Sequence, residues 1–148
     1  MGKDSKKKGS GLKYVALNDF SLVPRPLIEQ IKPAIPDIDR LYAVMQACGE
    51  SPSFWAINFV GVFADHQHMV KGFMWFTLNP VTRYLTCNCL SVDREYQGRI
   101  VVGEAKNIAR KLMRDTRAAK LVFQTSRPKA FAKAGFKRAE SVLMELEE

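Results

Sequence analysis

The sequence predicts a single mixed α/β (α+β) domain in which a twisted, mostly antiparallel sheet carries helices on both faces. Three observations predict it. Runs at 54–63, 70–78 and 83–92 are rich in aromatic and β-branched residues and are separated by short polar turns, the pattern of a three-strand antiparallel meander. Several positions in these runs are apolar on both faces, so both sides of the sheet are expected to be covered. After residue 100 the apolar period becomes helical, and a short apolar run follows at 121–125, so a right-handed strand–helix–strand crossover adds a parallel pair.

Each element follows in order. Lys13–Leu17 is a short strand, and Asn18 or Asp19 caps what comes next. Pro26 opens a short helix through Leu27, Ile28 and Ile31, which Pro33 and Pro36 end. Asp37 caps a second helix, with Ile38, Leu41, Tyr42, Met45 and Cys48 at helical spacing, and Gly49 stops it. The meander is Phe54–Phe63, a turn at Asp65-His66-Gln67-His68, Val70–Leu78, a turn at Asn79-Pro80, and Arg83–Val92. Val101, Val102, Ala105, Ile108, Ala109 and Leu112 give the next helix its apolar face, with Lys106, Arg110 and Arg114 along the other. Leu121–Thr125 suits a buried strand. Pro128 opens a helix through Phe131 and Ala134 that Gly135 terminates as a left-handed cap, and Val142–Leu146 is the last strand. Residues 13–148 contain no repeat and no linker.

Composition narrows the function classes. The 148 residues are 47% hydrophobic and 26% charged, enough for one ordinary domain that folds without disulfides or metal. Nine Phe, four Tyr and two Trp exclude disorder for the bulk of the chain. Asn58, Asp65 and Lys71 interrupt the longest apolar stretches well short of the roughly 20 residues of a membrane span. Cys48, Cys87 and Cys89 form no zinc pattern, so no metal site is expected. They read as buried free thiols of a cytoplasmic protein, with Cys87 and Cys89 on one face of their strand. The start of the chain lacks the apolar core of a signal peptide, and although it opens Met1-Gly2, Lys6 stands where an acylation signal needs Ser or Thr. Net charge is +8, from 23 Lys and Arg against 15 Asp and Glu, which favours anionic partners: nucleic acid, an acidic surface or a phosphate-bearing cofactor. Residues 1–12, with Lys3, Lys6, Lys7 and Lys8, read as a basic flexible tail, either a solvated leader or an electrostatic arm for nucleic acid or another polyanion.

One stretch stands out for chemistry: Leu90-Ser91-Val92, then Glu95-Tyr96-Gln97-Gly98-Arg99 leading into a helix. Together with Phe131-Ala132-Lys133-Ala134-Gly135-Phe136-Lys137, about 30 residues on, and with the order of elements, it resembles the GNAT family, the acetyl-CoA-dependent N-acetyltransferases. The resemblance covers nearly all of residues 13–148. It implies a GNAT-like domain, acetyl-CoA as acyl donor and an amine-bearing acceptor. It also implies that Leu90 and Val92 offer main-chain groups to the pantetheine arm and that Gln97, Gly98, Arg99, Ile100, Val101, Val102 and Gly103 form the phosphate loop. The acetyl group would sit where the third meander strand splays from the strand at 121–125.

Elementary electrostatics points the same way. The first N–H groups of a helix have no partner inside it, and the dipole there amounts to about +0.5 charge, so a pyrophosphate is a natural ligand. Arg99 adds a cation. Four features depart from the family pattern. Its glycines, in Gln/Arg-x-x-Gly-x-Gly/Ala, map to Ile100 and Val102, with Gly103 offset by one, so side chains would crowd the phosphates. Its base carboxylate maps to Thr86, and its proton-donating Tyr to Phe131. The segment 136–148 is short for a hairpin over the acceptor groove, which leaves room for a large acceptor. Catalytic residues are therefore not assigned. Orientation alone can supply about 7–11 kcal/mol of an acyl-transfer barrier, whereas losing one acid or base costs about 3–5 kcal/mol.

The reading is an acyl-CoA-dependent N-acyltransferase, with a catalytically inactive binding or structural protein of the same fold as the alternative. His66 and His68 read as a polar hairpin tip at the same end of the sheet as the 97–103 loop, and Trp55, Phe73, Met74 and Trp75 as core. Ser126 and Arg127 are polar groups where the family often contacts cofactor.

Overall fold

A computed structural model describes residues 9–32, 36–123, 128–133, 135–137, 139 and 146. Its elements are β1 (Lys13–Leu17), a 3-10 turn at Phe20–Leu22, α1 (Arg25–Glu29), α2 (Ile38–Gly49), α3 (Pro52–Ile57), β2 (Asn58–Ala64), β3 (Val70–Leu78) and β4 (Tyr84–Val92). A second 3-10 turn at Arg94–Tyr96 leads to α4 (Arg99–Thr116), β5 (Lys120–Phe123) and α5 (Pro128–Lys133). The expected tail residues 1–8, Pro33, the end of the expected strand at 124–125, Ser126, Arg127, Ala134 and residues 142–145 of the expected last strand lie outside the described residues.

The sheet runs β1-β2-β3-β4-β5, antiparallel from β1 to β4 and parallel between β4 and β5. This is the mixed sheet that the crossover through α4 demands. Helices cover both faces. On one, Leu27 and Ile28 of α1 and Ile38 and Met45 of α2 pack against Val60, Val62 and Phe73. On the other, Val101, Ala105 and Ala109 of α4 pack against Phe63, Met74, Phe76 and Leu85. Ala105 and Ala109 are fully buried, and their small side chains bring the axis of α4 close to the sheet.

The expected strand Phe54–Phe63 is corrected: its first residues are the helix α3, and the strand starts at Asn58. Phe54 and Trp55 have strand-like composition, but Pro52 stands at the start of the helix, where its missing N–H costs nothing. Packing completes the turn. The Phe54 and Trp55 rings meet edge-on at 5.0 Å, and Trp55 Nε1 donates to the Gly49 carbonyl at 2.8 Å. Asn58 Nδ2 donates to the Phe54 carbonyl at 3.0 Å and closes the end of the helix.

A β-bulge interrupts β4. Trp75 pairs with Cys89 and Phe76 with Cys87, which leaves Asn88 as the extra residue. The inserted residue reverses the side-chain alternation. Cys87 joins the core under α4, whereas Cys89 joins the core under α1 and α2. The expectation that both thiols share a face is therefore corrected. So is the expectation that all three are buried, because Cys48 is exposed at the end of α2.

The end of α5 is built as its sequence suggests. Gly135 has φ +96°; its N–H donates to the Ala132 carbonyl at 3.1 Å, and the Phe136 N–H donates to the Phe131 carbonyl at 3.0 Å. The Phe131 and Phe136 rings lie 5.2 Å apart across this turn. This is the Schellman arrangement with its hydrophobic contact.

Candidate cofactor-binding site

Described β4–β5 pairing runs from Tyr84–Lys120 to Cys87–Phe123, next to the Asn88 bulge. Leu90 and Val92 lie beyond it, with their side chains in the core under α4. From the bulge to Val92 is four residues, roughly 13 Å at about 3.3 Å each. The chain then turns at Asp93, whose N–H is held by the Lys71 carbonyl at 2.7 Å, and enters α4.

Gly98 makes the entry. Its φ of +142° and ψ of −168° belong to a region that only glycine occupies comfortably. The α-helical ladder begins with the Val102 N–H donating to the Gly98 carbonyl at 3.2 Å, so the N–H groups of residues 99–101 lie ahead of it. Gly98 brings no capping side chain, and the first turn of α4 contains no acidic residue. An 18-residue helix thus presents an uncapped N-terminus at the end of β4.

The structure separates the remaining residues of the loop by what their side chains do. Gln97 is exposed but committed, since its Nε2 donates to the Val92 carbonyl at 3.2 Å. Val101 and Val102 are buried and leave only their backbone to the loop. Of the two side chains expected to crowd a phosphate, Ile100 is 53% exposed and Val102 is buried. Gly103 has open space where a Cβ would stand. Arg99 is the first residue of α4.

The acidic groups nearby are drawn aside. Lys71 Nζ lies 3.7 Å from Asp93 and 3.8 Å from Glu95, and Glu104 accepts from the Ser10 N–H at 3.4 Å. That last contact brings Gly9 and Ser10 against α4 at Glu104, the residue that follows the loop. The His66–His68 turn sits at the same end of the sheet, because Gly72 pairs with Val92. It is organised by Asp65, whose carboxylate accepts from the Gln67 and Met69 N–H groups at 2.8 and 3.0 Å.

The positions matched to the family's base and acid carry no proton-transfer group. Thr86 pairs with Thr77 and Val122 in mid-sheet. Phe131 is 8% exposed, with the Phe123 and Phe136 rings both 5.2 Å away. Sequence reasoning missed Asn88. Beside Thr86, on the face of α1 and α2, this residue ends a chain of hydrogen bonds that runs through Thr77 and Asn58. Among the described residues no cluster of His, Cys, Asp and Glu is arranged to hold a metal, and no helix is long and apolar enough to cross a membrane. A polar cavity of about 420 Å³ lined by Asn18, Asp19, Gln46, Gly49 and Glu50 lies by the end of β1 and shares no residue with the loop.

Solved structures share this architecture. A possible acetyltransferase from Clostridium difficile 630 matches with TM-score 0.69 and 13% identity, over 93% of this chain and 97% of its own. AAC(6')-Iy, in complex with the bisubstrate analogue CoA-S-monomethyl-acetylneamine, matches with TM-score 0.70 and 14% identity, over 93% and 98%. An aminoglycoside acetyltransferase from an uncultured soil metagenomic sample matches with TM-score 0.66 and 14% identity, over 93% and 98%. No family model matches the sequence, and no curated protein matches it. The chain therefore has the GNAT fold, a likeness carried by backbone architecture at very low sequence identity.

Proposed function

We propose that the protein is an acyl-CoA-dependent N-acyltransferase that moves an acetyl group from acetyl-CoA to an amine acceptor. The observation that carries this reading is the continuity of β4 with an uncapped helix. From the end of β4 the chain turns through residues 93–97 to Gly98 and the N–H groups of residues 99–101, which lie ahead of the α-helical ladder. In this reading the diphosphate rests on the backbone of 97–103, and the pantetheine arm lies along Leu90 and Val92. The thioester reaches the bulge at Asn88. That a solved structure of the same fold is a complex with a CoA-containing bisubstrate analogue supports acetyl-CoA as the donor.

This chain's residues act by binding and orientation. Gly98 fixes the loop, Gln97 braces Val92, and Val101 and Val102 anchor the helix start in the core. Acetyl-CoA supplies an activated acyl carbon, and with no acid or base at Thr86 or Phe131 the rate rests on positioning. A second reading, a binding protein of the same fold without turnover, is favoured by Phe131, which packs as core among Phe123 and Phe136.

Calorimetric titration with acetyl-CoA, followed by a turnover assay on a panel of amines, separates the two. Saturable heat with amide formation supports the enzyme. Heat without turnover supports the binding protein. Gly98→Pro removes a backbone N–H and forces φ near −65°, far from +142°, and is expected to abolish the heat. Absence of heat in the wild-type protein contradicts the enzyme and leaves a binding or structural protein that does not use CoA.

A further inference from the structure

A chain of hydrogen bonds of fixed polarity ends at Asn88. Asn58 Nδ2 donates to the Phe54 carbonyl at 3.0 Å, so Asn58 Oδ1 is turned to the sheet as an acceptor. Trp75 Nε1 at 2.7 Å and the Thr77 hydroxyl at 3.0 Å both donate to it. Having spent its proton, the Thr77 oxygen accepts from Asn88 Nδ2 at 2.6 Å. The sequence of donors and acceptors leaves the Asn88 amide one orientation, with Oδ1 outward. None of the described residues donates to that oxygen, and no fully buried side-chain N or O among them lacks a partner, so Oδ1 is not sealed from solvent. It stands at the β4 bulge, beside Thr86.

We propose that Asn88 receives the acceptor: its Oδ1 takes one N–H of a primary amine and turns the nitrogen lone pair toward the thioester. This rests on the acyl-transfer reading above. The C–N bond forms, the C–S bond breaks with its electron pair leaving on the CoA sulfur, and the proton shed by nitrogen passes through water to that thiolate. Asn88 takes no proton, since a carboxamide is not a base in this range. Thr77 and Asn58 are positioning residues that hold the amide the right way round. A bulge is what makes the arrangement possible, because it turns residue 88 to the same face as Thr77 without moving Cys89 out of the core.

The test follows the Asn88 side-chain amide by NMR in the 15N-labelled full chain, assigned by its loss in Asn88→Ala. The probes are n-butylamine and butyltrimethylammonium, which carries charge but no N–H. The expected result is a saturable shift with n-butylamine and none with the quaternary ion. Thr77→Ser keeps the response. Thr77→Val, whose fold is checked by its backbone spectrum, weakens it about tenfold by freeing the amide to rotate. No saturable shift, an equal shift with the quaternary ion, or an undiminished response in folded Thr77→Val overturns the proposal. The wild-type comparison of the two probes stands even if the valine variant does not fold. Calorimetry with CoA is read separately, so CoA binding without an amine response sinks this inference alone, and absent CoA binding sinks the parent reading.

Discussion

Cys87 and Cys89 are two residues apart on one strand and lie on opposite faces of the sheet. The residue between them is the extra residue of a β-bulge, so Cys87 packs beneath α4 and Cys89 beneath α1 and α2. Geometry and burial together govern their chemistry. Burial pushes the Cys89 thiol up to about 12, and burial, with Cys89 adding to it, pushes Cys87 higher still.

Neither buried thiol is ionised at neutral pH, and thiolate is the reactive form. Cys48 is exposed. A colorimetric thiol titration of the native protein is expected to modify Cys48 promptly and Cys87 and Cys89 only on unfolding in denaturant. No oxidant is expected to join Cys87 to Cys89 in the folded state. Fast modification of all three thiols in the native protein contradicts the placement of β4.

Replacing Phe131 by Tyr tests how the aromatic cluster is built. Phe131 is 8% exposed and boxed by Phe123 and Phe136, so a hydroxyl there is buried without a partner, at a cost of about 1–3 kcal/mol. A melting curve is expected to show the loss, and CoA affinity is expected to stay the same. If the protein turns over, the rate stays level or rises. A variant as stable as the wild type, or one whose existing turnover collapses, contradicts the assignment of Phe131.

The Asp65 turn carries a pH dependence of known sign. The Met69 N–H, and after it the Gln67 N–H, hold the Asp65 carboxyl below the ordinary carboxylate range. A carboxyl depressed by folding contributes stability that is complete above its unfolded pKa, about 3.9, and is lost as pH falls through the lower folded value. Protection of the Met69 amide, its exchange rate taken relative to the intrinsic rate at each pH, is expected to fall below that pH, and Asp65→Asn to remove the dependence. Exchange that follows the same pH course in both proteins contradicts the turn.

Most of the frame was legible because its signals are local and periodic. The Asp37 cap is seen in the bond from the Arg40 N–H, and Gly135 carries the positive φ it was assigned. Residues 70–78 and 83–92 paired as a meander, and Val101, Ala105 and Ala109 turned to the sheet. What escaped depended on single events. Phe54 and Trp55 look like strand residues, but one proline and one asparagine make them a helix. Leu85, Cys87 and Cys89 alternate in sequence as one face, and nothing in that spacing announces an inserted Asn88. Asn88 was missed for the same reason, since its role arises only when Thr77 and Asn58 arrive from two other strands. At 97–103, spacing marked the loop but did not tell that Val102 is buried and Ile100 exposed.

The most direct test of the account is a backbone amide shift map of the 15N-labelled chain titrated with CoA. The account predicts saturable shifts at the amides of residues 98–103 and along Asn88 to Val92, with the Asn18–Asp19 and Gln46–Glu50 cavity silent. Shifts confined to that cavity or to the Asp65 turn, or no saturable shift at all, would contradict it.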